Sequence, residues 1–193
     1  MVRRIFLLGA LCLALAACAT PHKMTQDTID SLGVKEVRVN TTSAFVSWPA
    51  EEEKFKRQHV TPNAVSQQEM QAHLRKRVQE MVQEHYDAKF KPYFLGPRKV
   101  RLDVDVKGLT IPSLAARVLV SDIASFSANF TIVDIKTGEV IAQYPNAAMY
   151  KKMIGGIMAP IADAVSNTGA DPAEELVLSQ VLSVRNWVTK SGQ

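Results

Sequence analysis

Few side chains in this chain can do covalent, metal or proton-transfer chemistry. Its 193 residues hold two cysteines, Cys12 and Cys18, and four histidines, His22, His59, His73 and His85, all before residue 90. A helical metal site wants ligands at i and i+4. His73 and His85 are twelve apart, so spacing makes neither a ligand. There is no Gly-x-Ser-x-Gly, no His-Glu-x-x-His and no glycine-rich phosphate loop. No catalytic residue, no metal ligand and no cofactor is therefore assigned. A Ser-His-Asp triad scattered through the chain leaves no spacing signature, so a hydrolase stays as the weakest of three functional readings. Asp103 and Asp105 suggest paired acid–base carboxylates. Arg101 and Lys107 share their side of the alternation, however, and a self-compensated wet face is expected instead.

The cysteines carry more information than the histidines. Met1-Val-Arg-Arg4 is a short charged segment, and Ile5 to Ala17 are thirteen uncharged residues. As a helix they would span about 20 Å, short of the roughly 30 Å hydrocarbon core, so a signal peptide fits better than a permanent span. The residues closing it, Leu15-Ala16-Ala17-Cys18, resemble the lipobox of bacterial lipoproteins. That resemblance implies cleavage before Cys18, a thioether-linked diacylglycerol on its sulfur and often a third chain on its amine. Two or three acyl chains anchor a protein stably, where one binds reversibly. Ala19 stands where inner-membrane lipoproteins of many Gram-negative bacteria carry Asp. The resemblance thus implies the outer membrane, facing the periplasm, with the periplasmic face of the inner membrane as the alternative. Cys12 leaves with the leader and Cys18 is alkylated, so no thiol remains for a disulfide, a metal or nucleophilic attack.

Composition fits one globular domain: 47% hydrophobic and 22% charged, with 9 Gly and 9 Pro and no repeat. The formal charge of +4 includes Arg3 and Arg4; without them 21 basic residues face 19 acidic ones. Such a balance does not point to nucleic acid.

The elements that would hold any site follow from periodicity. Residues 18–33 are mostly small and polar and are expected to form a lipidated flexible tether, leaving 34–193 as a single α+β domain. Val34, Val37 and Val39 mark a short strand, Phe45 to Pro49 extend or return it, and Glu51 to Arg57 are expected to be a solvated loop or helix turn. Ser66-Gln-Gln-Glu69 is a capping box with Val65 and Met70 as its staple. It opens an amphipathic helix whose packed side carries Met70, Leu74, Val78, Met81, Val82 and His85. Gly96-Pro97 turns into Val100 to Lys107, which alternates aliphatic and charged throughout. Phe126 to Ile132 and Val140 to Tyr144 flank a turn with Gly138 at the position needing positive φ, a hairpin. Asp171-Pro172-Ala173-Glu174 opens a last helix, with Trp187 locking its end.

The order strand, long helix, strand, hairpin, helix predicts an α+β two-layer sandwich. It has a roughly four-stranded, mostly antiparallel sheet with the long helix and the C-terminal helix on one face. Over 34–145, with the turn Val133-Asp-Ile-Lys-Thr-Gly-Glu-Val-Ile141, this resembles the small periplasmic domains of outer-membrane accessory lipoproteins, such as the curli-secretion, penicillin-binding-protein-activator and lipopolysaccharide-assembly groups. The resemblance implies a non-enzymatic accessory or scaffold component of an envelope process, with an envelope protein as partner. Two apolar stretches fit the sandwich poorly. The first is 109–120, with Leu109, Ile111 and Leu114 and the character of a buried crossover helix. The second is 149–161, with Met153, Ile154, Ile157 and Met158. They are the candidate partner or lipid contacts, and an apolar groove lined by both is the alternative, lipid-handling reading.

Overall fold

The computed structural model describes residues 24–59, 65–119, 123–153 and 171–190. The fold begins earlier than the sequence suggests. Thr25 caps a short helix α1 (Gln26–Ser31) by accepting from the Thr28 N–H, and β1 (Leu32–Asn40) follows without a break. Met24, Ile29 and Leu32 are buried. The expected tether over 18–33 is corrected accordingly: three apolar side chains tie its second half to the domain, although they are too few to show a sustained period.

After a turn come β2 (Phe45–Ser47), α2 (Pro49–Arg57) and the long helix α3 (Gln67–Lys89). Both halves of the expected capping box form: the Glu69 N–H donates to Ser66 Oγ at 3.2 Å, and the Ser66 N–H to Glu69 Oε2 at 2.9 Å. A 3-10 turn (Lys91–Tyr93) leads to β3 (Arg98–Thr110), α4 (Leu114–Leu119), the hairpin strands β4 (Ile123–Asp134) and β5 (Val140–Lys152), and α5 (Pro172–Lys190).

The five strands form one mixed sheet in the order β1-β3-β4-β5, with β2 continuing the β1 edge along β3. β1 and β2 run parallel to β3, while β3, β4 and β5 form an antiparallel meander. The parallel pair needs a long crossover, which α2 and α3 supply. This is the predicted α+β sandwich with one more strand. Among the described residues β5 is an edge, and Pro145, which has no N–H to offer, sits in it harmlessly.

One face of the sheet packs on α3 and α5. Val100, Leu102, Val104 and Val106 alternate into this core, as do Phe126, Ala128, Phe130 and Ile132. From α3 come Leu74, Val78, Val82 and Tyr86, and from α5 Leu176, Val177, Val181, Val184 and Val188. Trp187 stacks on Tyr144, ring centroids 4.9 Å apart, and fixes the end of α5 as expected. Arg185 lies over the Tyr93 ring just beyond the end of α3, while Asp171 at the start of α5 senses Glu51 of α2. The two helices thus run parallel.

Candidate functional site

Burial of a carboxylate needs compensation, and Glu51 is such a group. Of the two forms expected for the mixed-charge run 51–57, loop or helix turn, it takes the helical one, and Glu51 is buried rather than solvated. His73 Nε2 lies 2.9 Å from Glu51 Oε1, Arg77 Nε 3.5 Å from the same atom, and Lys54 Nζ 3.6 Å from Oε2. The His73 ring stacks on Phe55 at 4.0 Å, and Phe55 meets His59 edge-on at 4.5 Å. Asp171, before α5, feels the charge of Glu51. Burial raises its carboxyl above the ordinary range, the Ala173 N–H lowers it, and the negative charges of Glu174 and Glu51 raise it further.

A carboxylate holding an imidazole is two-thirds of an acid–base relay. The third part would be a hydroxyl or thiol on the far ring nitrogen. Among the described residues, the hydrogen-bond partner of His73 is Glu51 alone, and no group of three His, Cys, Asp or Glu side chains has metal-ligating geometry. What the cluster does in the fold is fasten α2 to α3. Sequence spacing could not reveal it, because Glu51 and His73 are 22 residues apart and belong to different helices.

The opposite face of the sheet is solvated. Arg101 donates to Asp103 from Nε at 2.6 Å and from a terminal nitrogen at 2.9 Å. Lys107 pairs with Asp105, which also accepts from Asn40 at 3.0 Å. Asp103 and Asp105 are thus neutralised along their own strand, as the alternation suggests.

The predicted apolar contacts divide. A bulge between Val106 and Gly108 adds one residue to β3 opposite Ser127. The added residue switches the inward set from even to odd positions, so Leu109 and Ile111 enter the core. They cannot line a contact surface, and their misfit in the sequence was the bulge. The expected crossover helix shrinks to α4, where Leu114 is 42% exposed. Met153 is partly buried against the core. Cys18, Ile154, Ile157 and Met158 lie outside the described residues. A groove built from both stretches thus loses Leu109 and Ile111.

A different surface surrounds the start of the fold. α1, the 3-10 turn and the end of α5 enclose a groove of about 450 Å³ lined by Ile29, Leu32, Tyr93, Phe94, Leu95 and Thr189, among others. Its floor is held by backbone contacts: the Val34 N–H donates to the Phe94 carbonyl at 2.9 Å and the Gly96 N–H to the Leu32 carbonyl at 2.7 Å. The approach is close enough to require glycine, since a Cβ on Gly33 would sit 2.1 Å from the Gly96 oxygen. Leu95 and Tyr93 project outward, 79% and 61% exposed.

No family model matches the sequence, and no curated protein matches it. Solved structures do. A candidate lipoprotein from Caulobacter crescentus CB15 matches at 14% identity over 60% of this chain and 83% of its own, with a TM-score of 0.36. A DUF330 protein from Xanthomonas campestris matches at 11% identity over 90% of this chain and 94% of its own, with a TM-score of 0.41. A PelC variant from Paraburkholderia phytofirmans, described as a dodecamer, matches at 9% identity over 88% of this chain and 94% of its own, with a TM-score of 0.34. At these scores the likenesses carry nothing about activity, partners or assembly to this chain.

Proposed function

We propose that the chain is a non-enzymatic lipoprotein of the bacterial envelope. It is anchored through Cys18 in the outer membrane, facing the periplasm, and serves as an accessory to an envelope protein. The observation that carries this reading is the distance along the chain from Cys18 to the fold. Met24, already buried, follows the lipobox cysteine by six residues, a reach of at most about 21 Å. A diacylated cysteine so close to a packed domain makes a membrane-held module. Among the described residues no helix is long and apolar enough to cross a membrane, and in this reading the acyl chains on Cys18 supply the attachment. Tethering also raises the concentration near membrane machinery, so modest contact affinity suffices for an accessory role.

The decisive experiment is Cys18→Ser in the full chain, followed by membrane fractionation and mass spectrometry. The unsubstituted protein should carry the mass of its acyl chains and partition with outer membranes, and the variant should be released. Tight membrane association of Cys18→Ser, or an unmodified thiol in the starting protein, would overturn the reading.

A further inference from the structure

We propose that the end of the domain bearing Tyr93 and Leu95 rests on the lipid surface, so that the anchored protein has one fixed orientation. The inference rests on the lipid anchor proposed above and adds which surface touches the bilayer.

Exposed apolar side chains occur at both ends of the molecule. Tyr93 and Leu95 lie where α3 and α5 finish, and Phe45 and Tyr150, 65% and 69% exposed, lie near the other end. Exposure alone does not choose between them. Chain length does. Helix α3 has 23 residues and is about 35 Å long. Its first third lies beside β2, with Gln71 Nε2 donating to the Val46 carbonyl and Arg75 Nε to the Ala44 carbonyl. Its last turn leads into the Tyr93 end. The chain arrives at that same end, because Gln26, two residues after Met24, lines the groove with Tyr93 and Leu95. A connection of at most about 21 Å from an acylated sulfur thus holds this end at the bilayer. Phe45 and Tyr150 are left on the side facing away.

The chemistry of the surface suits an interface. Leu95 is presented by backbone pinned to β1 at Val34 and Gly96, so its exposure belongs to the ordered fold. Tyr93 carries Arg185 over its ring at 4.1 Å, an aromatic and a cation that can share the headgroup region. Lys89 and Lys190 are exposed at the ends of the two parallel helices. Asp30 of α1 lines the same groove and is engaged by Gln26 at 2.7 Å, and Asp87 pairs with Lys91. The net charge there is small, so shallow insertion of Tyr93 and Leu95 supplies most of the contact.

The test uses the full acylated chain, in which an introduced cysteine is the only free thiol once Cys18 is modified and Cys12 has left with the leader. Leu95→Cys, Lys190→Cys and Phe45→Cys are labelled with an environment-sensitive fluorophore. Each protein is reconstituted in vesicles of three parts phosphatidylethanolamine to one part phosphatidylglycerol carrying nitroxide lipids. Quenching at positions 95 and 190 should exceed that at position 45 by about threefold or more, given the shallow burial of interfacial side chains. Equal or reversed quenching in protein that floats with the vesicles would overturn the seating and leave the anchor standing. Protein that does not float would overturn the anchor, and the seating with it.

Discussion

His73 Nε2 lies 2.9 Å from a carboxylate oxygen of Glu51, joining α2 to α3 where Arg77 and Lys54 also converge. Glu51 is almost fully buried, whereas Arg77 and Lys54 keep much of their solvent contact. Loss of the carboxylate is therefore less damaging than breaking a wholly buried pair. Glu51→Ala should destabilise by about 2 kcal/mol and Glu51→Gln, which keeps an acceptor, by about 1 kcal/mol. Urea unfolding checks both. If Glu51→Ala unfolds at the unsubstituted midpoint, the cluster does not fasten the helices, and His73 becomes a candidate for acid–base work.

Gly96 tests the crossing that presents Leu95. A Cβ there would lie 2.3 Å from the carbonyl carbon and oxygen of Ser31, both backbone atoms unable to swing aside. Gly96→Ala should therefore cost about 3 kcal/mol. Gly138 makes the comparison: its φ is 75° with nothing within 4 Å of an added Cβ. Gly138→Ala carries only the conformational penalty, about 1 kcal/mol. Thermal melts of the two variants should rank accordingly, and equal losses would mean that the crossing relaxes.

Local signals were sufficient where local chemistry decides the outcome. Ser66 and Glu69 announced the start of α3, the alternation 100–106 announced the inner strand, and Gly138 announced the hairpin. The failures share one cause: the deciding contact lies far away in sequence. The period placed His85 in the core row, but Tyr86, four residues after Val82, is the buried side chain because it meets Phe90 and Phe130. Leu109 and Ile111 looked like surplus apolar residues until the bulge at 106–108 turned them inward. Met24, Ile29 and Leu32 have spacings of five and three, which match neither a strand nor a regular helix. Ile29 and Leu32 share a groove with Phe94, Leu95 and Gly96, more than sixty residues away. The groove beside Tyr93 and Leu95 was illegible for the same reason.

Asp134 gives the hairpin a pH dependence. Arg98 Nε donates to Oδ2 at 2.6 Å, and the Thr137 and Lys136 N–H groups donate to Oδ1 at 3.0 and 2.8 Å. The Arg98 hydrogen bond, helped by those backbone donors, lowers the carboxyl pKa from 3.8 to about 2. A depressed carboxylate stabilises the fold above its unfolded pKa and loses that contribution as pH falls through its folded one. The contribution should be whole at neutral pH and disappear between pH 3.8 and about 2. Asp134→Asn keeps the turn acceptor but cannot ionise, so its stability should fall less steeply over that interval. Identical acid-unfolding profiles for the two proteins would exclude Asp134 as a source of the slope.

Tyr86 offers a substitution that should strengthen the protein. Its ring is fully buried among Phe90 and Phe130, and its hydroxyl has no hydrogen-bond partner among the described residues. Burial pushes its pKa well above the ordinary value, which favours the neutral hydroxyl, whose hydrogen bond the described residues do not supply. Tyr86→Phe removes that hydroxyl while keeping the ring and nearly all its contacts. A buried, unsatisfied polar group costs about 1–3 kcal/mol, part of which is offset by the small gap left behind. The net gain should be about 1 kcal/mol, a rise in Tm of about 2–4 °C for a domain of this size. Gln180 Oε1 on α5, also buried with no hydrogen-bond partner among the described residues, is untouched by the change, so the gain is attributable to the one hydroxyl. A lower Tm for Tyr86→Phe would instead show that the hydroxyl is bonded in the native protein.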